Sequence, residues 1–535
     1  MSSEARHPGA KTAPFYIAQS KICVNAAGQC IGDGLFSGHD FKAGEFMGAR
    51  KRPMIASLET ERLRDTCANC YIWTEGSSLG SRLYVKEGTK VQACAGCKRF
   101  RYCSKACQKE AWTRGHKHEC KNLRSVGDRE LPKAVLGCME LLVRKKHGLI
   151  SEQEWDILCR LDTHAEDFQR NGKYGGIELM ALGTSEFSFT QDTFDKKFVA
   201  AMYARILSNS LTLITPTFDP LGIMVDPIFC HLNHSCDPNA YLVMDGPEIE
   251  LHALKDIKMD EEIYISYVDP TNPFARRQSE LKERWFFNCK CSKCKKGPKQ
   301  QEDLFLVDPQ DAPENCKEYA DSLLKRAESP ANDPTNYIGD SLDERRMAAL
   351  QGELFNAYEE QQRTDDVKHA IKICQNAVEL CSSSGLWPQH RQPLPALRDD
   401  LIVHLLADGQ FELAWSHCMK RHQYVTPTLY PQTHHPIRVV QTWQMAMLAQ
   451  YLASASKQLA PGIDMAVITA MLVDAVHTAA KSSHGEYSAF FKSVQGKFAE
   501  VESEVLAKFE SKDALKAATK MQEKHLWEMG DWAKY

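Results

Sequence analysis

The sequence predicts a multidomain protein of the α+β class, with short strands and metal-ligating residues in its N-terminal part and an all-α region in its C-terminal part. Its 535 residues are too many for one ordinary hydrophobic core, and about three or four domains are expected. Many of its 20 cysteines stand at chelating spacings in the first 300 residues. Beyond about residue 305 this spacing ends, and apolar residues recur with helical periodicity.

The composition excludes a strong long-range electrostatic field. The chain has 70 acidic and 66 basic residues, so nucleic-acid binding is expected to be weak or absent and any such contact local. No apolar run approaches the roughly 18 residues of a membrane helix, and the N-terminus lacks the apolar region of a secretory signal. We therefore expect no membrane association, a location in the cytoplasm and/or nucleus, and a monomer.

The first part of the chain has the pattern of short strands. The segment "GQCIGDGLFSGHDFKAGEFMG" alternates small turn residues with short apolar pieces. Glycine-containing turns between such pieces are typical of β-strands joined by tight connections. On its own, the pair of glycines in this segment is better explained by a plain turn.

Eight potential metal ligands lie between residues 67 and 120, in four pairs at chelating spacing. The pairs are Cys67 with Cys70, Cys94 with Cys97, Cys103 with Cys107, and His116 with Cys120. Because a structural zinc ion takes four Cys or His ligands in a tetrahedron, eight ligands predict two zinc sites. The alternative, scattered buried cysteines, fits this regular spacing poorly. A segment with so little apolar sequence should need the metal to fold.

Two histidines compete for the last ligand position. His116 is four residues before Cys120, a step that places both side chains on one face of a helical turn. His118 is only two residues away and would point elsewhere. The spacing therefore favours His116.

A second cysteine cluster, "FFNCKCSKCKK", supplies Cys289, Cys291 and Cys294 but no fourth ligand nearby. An open zinc site would be catalytic, yet such sites usually recruit His or carboxylate ligands, which this cluster lacks. We expect the fourth ligand to be Cys236, in the stretch "HLNHSCDPNA". By residue type alone, that stretch could also hold a Cys/His nucleophile pair or a polar turn.

Helical periodicity covers the region after about residue 305, for example in "ALRDDLIVHLLADGQFELAWSHCMKR". Val367 with Ala370 and Phe411 with Ala414 repeat the same step 44 positions apart. This repeat is a hint of tetratricopeptide-like helical hairpins. An irregular helical bundle fits the sequence equally well.

These motifs together resemble a known family. The text "FRYCSKACQKEAWTRGHKHEC" resembles the MYND zinc finger, and "LNHSCDPN", "ISYVD" and "CKCSKC" resemble a SET methyltransferase domain with its post-SET cysteines. Their order is similar to that of the SET and MYND domain (SMYD) family. The resemblance implies a β-rich SET fold split by a MYND finger, a helical SET insert, a post-SET zinc site and a C-terminal all-α, TPR-like domain. The implied boundaries are 1–66 for the first SET part, 67–120 for the finger, 121–195 for the insert, 196–268 for the catalytic SET core, 269–300 for the post-SET segment and 301–535 for the helical domain.

The resemblance also implies how the ligands divide among three zinc ions. In an interleaved finger, one ion takes Cys67, Cys70, Cys103 and Cys107, and the other takes Cys94, Cys97, His116 and Cys120. A third ion takes Cys236, Cys289, Cys291 and Cys294. Cys236 is then a zinc ligand and not a nucleophile.

The activity implied by the resemblance is S-adenosylmethionine (SAM)-dependent methylation of lysine in histone or non-histone proteins. Tyr267 would orient the reacting centre as the catalytic residue and would also contact the cofactor. The other implied cofactor contacts are Gly32, Asp33, Gly34, His164, Asn209, Asn233, His234 and Phe287. From residue type alone, the asparagines could be turn residues and the aromatics core residues.

A different class of function is an adaptor without catalysis, in which the finger and the helical domain bind peptide partners and the SET fold is a scaffold. The presence of Asn209, Asn233, His234 and Tyr267 together argues against it, because a scaffold does not need all four. Two residues depart from the family pattern: Ile31 stands where a basic residue is usual, and Asp260 stands where glycine is common.

Overall fold

The computed structural model describes residues 13–22, 32–74, 88–298, 301–303, 342–384, 387–455, 459–509 and 511–533. The chain divides into two compact units: residues 1–266 with 284–286, and residues 267–283 with 287–535. In the described part of the chain, no helix is long and apolar enough to cross a membrane.

The strands of the first unit form small sheets. The strands are β1 Phe15–Gln19, β2 Asp33–Ser37, β3 Phe46–Arg50, β4 Ile55–Leu58, β5 Gln92–Ala93, β6 Arg101–Tyr102, β7 Leu211–Ile214, β8 Pro220–Val225, β9 Asn233–His234, β10 Ala240–Asp245, β11 Glu248–Ala253 and β12 Tyr264–Ile265. Strand β1 pairs antiparallel with β2, β3 with β11 and β11 with β10, while β8 lies between β4 and β7 in a second three-stranded sheet.

Close packing of the β4–β8–β7 sheet depends on the glycine at position 222. Gly222 is paired on both sides, with Leu58 of β4 and Leu213 of β7. A methyl group at Gly222 would lie 2.0 Å from the carbonyl oxygen of Ser57. Gly137, in the helix Lys133–Lys146, faces the same sheet, where an added Cβ would be at ordinary contact distance from Ile55. The core of the unit therefore lies between this helix and the β4–β8–β7 sheet.

Two very short strands bring distant parts of the sequence together. Strand β9 runs parallel to β12, with Asn233 opposite Tyr264 and His234 opposite Ile265. The amide of Ser235 continues the pairing by donating to the carbonyl oxygen of Ile265 at 2.9 Å. The "NHSC" and "YIS" segments, about 30 residues apart in sequence, are neighbours in the fold.

Helices surround the strands of the first unit. The finger contributes Lys105–Ala111, a wide turn at Trp112–His116 and Lys117–Val126. The predicted insert segment contains Lys133–Lys146, Glu152–Arg160, Ala165–Arg170 and Tyr174–Ser188. The next helix, Lys196–Asn209, begins directly after the predicted boundary at residue 195, and Asp195 is its N-cap.

The second unit is helical. Its helices are Leu342–Arg363, Val367–Ser384, Leu394–Ala407, Phe411–Lys420, Thr426–Leu429, Pro436–Ser454, Met465–His484, Ala489–Leu506 and Lys512–Gly530, and most of Phe274–Trp285 also belongs to it. Trp415, Trp443 and Phe490 are fully buried in its core.

The predicted fold class, α+β with zinc-ligating cysteine clusters and a large helical C-terminal region, is confirmed. The repeated step falls at equivalent places, because Val367 and Phe411 each begin a helix and Ala370 and Ala414 are fully buried. The TPR-like arrangement and the domain boundaries stay predictions, and residues 304–341 of the predicted helical domain lie outside the described residues.

Candidate metal centres and cofactor site

The first ligand set of the finger consists of Cys67, Cys70, Cys103 and Cys107, whose sulfur atoms all lie within 4.8 Å of one another. The sulfur of Cys103 is 3.5 Å from that of Cys70 and 3.5 Å from that of Cys107. Cys103 directly follows strand β6, and Cys107 is in the first turn of the helix Lys105–Ala111. Ser104 fixes this turn by accepting from the Cys107 amide at 3.1 Å.

The second set consists of Cys94, Cys97, His116 and Cys120, again within 4.8 Å. The Cys94 and Cys120 sulfurs are 3.8 Å apart, and Nε2 of His116 is 3.7 Å from the Cys97 sulfur. His118 lies outside this set and stacks on His147 with ring centroids 3.7 Å apart.

The third set consists of Cys236, Cys289, Cys291 and Cys294, whose sulfur atoms are also within 4.8 Å of one another. The amides of Cys291 and Cys294 point at the sulfurs of Cys289 and Cys291, at 3.5 and 3.4 Å. Such N–H groups stabilise thiolates, which are the form that binds metal.

All three sets fit structural zinc. With a Zn–S bond of about 2.3 Å, the edge of a ZnS₄ tetrahedron is about 3.8 Å long. The sulfur separations of 3.5 and 3.8 Å are close to this edge. Each set supplies four Cys or His ligands, so each would be a closed structural site without a position for substrate. The expectation of three zinc ions is therefore supported by the ligand geometry.

The predicted cofactor residues of the first unit partly converge around one amide. The Asn233 Nδ2 atom donates to the carbonyl oxygen of Asp33 at 3.0 Å and to Oε1 of Glu262 at 2.8 Å. A methyl group on Gly34 would lie 3.0 Å from this Nδ2 atom. Asp33 and Gly34, at the start of strand β2, are therefore in contact with Asn233, about 200 positions away in sequence.

Asn239 holds this region together, and the sequence reasoning did not identify it. Its Oδ1 atom accepts from the amide of Tyr264 at 2.7 Å, and its Nδ2 atom donates to the carbonyl oxygen of Glu262 at 3.0 Å. A longer contact of 3.4 Å reaches Oε1 of Glu261. In the sequence, Asn239 stands just after the Asp-Pro turn, a place where asparagine side chains commonly hydrogen-bond to the backbone. No other feature of the sequence indicates its role.

Asn209 and His164 lie around a second loop. The Asn209 amide donates to the carbonyl oxygens of Asp162 at 2.8 Å and Arg205 at 2.9 Å. His164 has a left-handed backbone, with φ of 51°, and Nδ1 of its ring is 3.0 Å from a carboxylate oxygen of Asp167. Its ring contacts Phe286, with centroids 5.3 Å apart. Phe286, which was not predicted, is thus the aromatic next to His164.

The geometry does not favour a Cys/His nucleophile pair. Nδ1 of His231 donates to the carbonyl oxygen of Pro227 at 2.9 Å, and burial lowers the pKa of this ring. Burial also raises the pKa of the Cys230 thiol to about 12, so it is not a thiolate at neutral pH. Nε2 of His234 is 3.2 Å from the sulfur of Cys236, which belongs to the third ligand set.

Tyr267 and Phe287 belong to the second unit, and both are half-buried. Tyr267 follows strand β12 by two residues. Their contacts with substrate and cofactor stay predictions. Asp260 has φ of 64°, which explains why glycine suits this position, and its carboxylate accepts from the Tyr16 hydroxyl at 2.7 Å. Ile31 lies outside the described residues.

Comparison with known proteins shows which families the chain is similar to. Residues 32–268 match the SET domain family. The chain is 34% identical to "SET domain and MYND-type zinc finger protein 6" of Schizosaccharomyces pombe, over 46% of each chain. It is 28% identical to "Histone-lysine N-methyltransferase SMYD3" of Homo sapiens, over 56% of this chain and 67% of that protein. It is 30% identical to "N-lysine methyltransferase SMYD2-B" of Danio rerio, over 38% of this chain and 47% of that protein.

The predicted resemblance to SET and MYND domain proteins is therefore confirmed. The chain spans about half of the length of two of these relatives and 67% of the third. A solved structure of the SET domain of LSMT bound to lysine and AdoHcy matches over 82% of this chain and 87% of that chain, with a TM-score of 0.23 and 11% sequence identity.

Proposed function

We propose that this protein is a SAM-dependent protein-lysine N-methyltransferase. The observation that carries the proposal is the contact of Asp33 and Gly34 with the Asn233 amide, within the residues that match the SET domain family. Two relatives bear the names of lysine methyltransferases, which supports the same reaction here. The proposed substrates are lysines of histone or non-histone proteins.

The residues suit the cofactor chemically. SAM, when bound, supplies a methyl group on a sulfonium sulfur. An uncharged amine can take this methyl group by displacing the sulfur. Gly34 has no side chain, and an added Cβ would meet Glu262 and Asn233. The backbone of Gly34 therefore lies directly against these two side chains. Asn233 has an amide that can both donate and accept, which suits the polar groups of the cofactor's amino-acid and adenine parts. Asn209, His164 and the backbone of His234 are proposed as further contacts.

The substrate lysine must be uncharged to react. A lysine in water has a pKa of about 10.4 and is protonated at neutral pH. An apolar channel and a nearby positive charge both disfavour the ammonium form, so its proton can leave to water. Tyr267 is proposed to line this channel and orient the amine. The contribution of the site is then largely orientation, which alone can lower a barrier by several kcal/mol.

Two substitutions separate cofactor binding from methyl transfer. Asn233→Ala should weaken SAM binding by roughly 1–3 kcal/mol, because a buried hydrogen-bonding partner is lost. Tyr267→Phe keeps the ring and removes the hydroxyl, so it should leave SAM affinity nearly unchanged and slow methyl transfer. Calorimetry with SAM measures the first effect, and single-turnover transfer from radiolabelled SAM to histones and to cell extract measures the second.

Matched controls are available in the same unit as Asn233. Asn122→Ala removes an amide that donates to the Ser188 carbonyl oxygen at 2.9 Å, and Tyr241→Phe makes the same chemical change as Tyr267→Phe. Both should bind and transfer normally. If the wild-type chain does not bind SAM, the proposal is wrong and the adaptor function takes its place. If Tyr267→Phe reacts as fast as wild type, the role of Tyr267 is wrong.

The remaining expectations are proposals from composition and resemblance. We propose a monomer in the cytoplasm and/or nucleus, with a lysine-presenting protein as substrate and weak nucleic-acid binding at most. Peptide partners of the finger and of the helical region are also proposed. Sedimentation of the purified protein and a salt-dependent DNA shift test the monomer and the nucleic-acid expectation directly.

A further inference from the structure

Glu262 is a buried carboxylate, only 5% exposed, that accepts from three side chains of the first unit. The Ser20 hydroxyl donates to Oε1 at 2.7 Å, and Asn233 Nδ2 donates to the same oxygen at 2.8 Å. The Tyr264 hydroxyl donates to Oε2 at 2.9 Å. Three donors to one buried carboxylate give it the partners that a buried charge requires.

The fold places Glu262 by backbone pairing. Glu262 is paired antiparallel with Phe36, and the neighbouring amide of Ile263 donates to the carbonyl oxygen of Leu35 at 2.7 Å. Its carboxylate lies so close to Gly34 that a methyl group there would be 2.3 Å from Oε1. The Glu262 carboxylate therefore contacts both Gly34 and the Asn233 amide, which are proposed to bind the cofactor.

The carboxylate determines which way the Asn233 amide faces. The two hydrogens of Nδ2 are directed at the Asp33 carbonyl oxygen and at Glu262, and both of these atoms are acceptors. A 180° rotation of the amide would place its carbonyl oxygen against them, which replaces two attractive contacts by two repulsive ones. The acceptor side of Asn233 is thus directed away from Glu262.

We propose that Glu262 is a positioning residue that fixes the Asn233 amide, so that Asn233 acts toward the cofactor as a hydrogen-bond acceptor. This inference rests on the proposed function. The amide's donor capacity is used within the protein, while its carbonyl oxygen has two lone pairs. The groups of SAM that match an acceptor are its amines, on the amino-acid part and on the adenine ring. Glu262 itself does not contact the reacting atoms.

A double-mutant cycle tests the inference, with SAM affinity measured by calorimetry. Glu262→Gln keeps the size of the side chain and removes its charge, and we expect it to weaken SAM binding about tenfold or more, since hydrogen bonds to charged groups are the stronger ones. If Glu262 acts through Asn233, adding Glu262→Gln to Asn233→Ala should weaken binding by less than about twofold. The same substitution should speed exchange of the Asn233 side-chain amide with solvent in the unliganded protein, as seen by nuclear magnetic resonance.

Glu261→Gln is the matched control, because it makes the same chemical change at the exposed neighbouring residue. Its SAM affinity should stay within about twofold of wild type. Should Glu262→Gln fail to fold, Glu262→Asp keeps the charge and withdraws it from Asn233 by one methylene, and it should weaken binding in the same way.

The outcomes are distinguishable. Wild-type protein that does not bind SAM overturns the proposed function. Two results overturn the role of Glu262 and leave the proposed function standing. In the first, wild type binds SAM and Glu262→Gln binds it equally well. In the second, the losses of SAM affinity in the two single mutants add in the double mutant, as for a merely structural residue.

Discussion

Asn239→Ala tests whether one side chain holds the strand that precedes Tyr267. Asn239 is 7% exposed, and its two good hydrogen bonds are those with the Tyr264 amide at 2.7 Å and the Glu262 carbonyl oxygen at 3.0 Å. Each bond contributes about 0.5–1.5 kcal/mol, and each partner left unpaired in the interior adds a desolvation penalty. We expect a loss of about 2–4 kcal/mol in the free energy of unfolding of the first unit.

The assay is chemical denaturation, with hydrogen exchange of segments 233–239 and 261–266 measured by mass spectrometry to locate the effect. Exchange in these segments should speed up first, because the β9–β12 pairing depends on Tyr264 being in place. Asn122→Ala, which removes a single hydrogen bond at a half-buried site, should cost only about 1 kcal/mol. Equal losses in the two variants would refute the reasoning.

Three further predictions concern packing, metal and pH. Gly222→Ala should destabilise the first unit by about 3–5 kcal/mol in denaturation experiments, because its Cβ would lie 2.0 Å from a backbone oxygen of Ser57 and the strands would have to separate. Gly96→Ala should lower the zinc content from three ions to two in metal analysis, because its Cβ would lie 2.5 Å from the sulfur of Cys120. Burial raises the pKa of Asp400 to about 6 from 3.8, so the folded state carries a cost that is fully present above pH 6 and absent below about pH 4. Asp400→Asn should therefore stabilise the second unit by about 3 kcal/mol at pH 7.5, and this gain should disappear by pH 4 in unfolding curves measured at both values.

The zinc ligands could be predicted because chelation is encoded locally. Cys94 with Cys97 and His116 with Cys120 stand at spacings that bring ligands to one ion whatever the surrounding fold. The interleaving of the pairs came from the family resemblance, which also agreed with Cys236 as the fourth ligand of the third set. The helical region was visible for a similar local reason, the 3.6-residue period, although its boundaries and its repeat were not fixed by it.

Glu262 and Asn239 could not be predicted, because their roles depend on tertiary pairing. Each reads in sequence as an ordinary polar residue near a turn. Only the pairing of Phe36 with Glu262 and of Asn233 with Tyr264 brings them close to Asp33 and Gly34. Phe286 was missed for the same reason: a sequence shows two adjacent phenylalanines, and the positive φ of Phe286, 65°, decides which one packs on His164.

The segment from Asn233 to Asn239 contains three residues with different roles. Asn233 is a proposed cofactor contact, Cys236 is a ligand of the third metal set, and Asn239 holds the neighbouring strand. Because a ligand bond to Cys236 restrains the backbone three residues from Asn233, Cys236→Ser should lower both the zinc content, from three ions to two, and the affinity for SAM. Cys107→Ser removes a ligand from the finger, so it should lower the zinc content equally and leave SAM affinity within about twofold. Metal analysis and calorimetry on the same samples decide the matter. If both variants lose SAM binding alike, the effect of zinc loss is general unfolding, and the local coupling inferred for this segment is wrong.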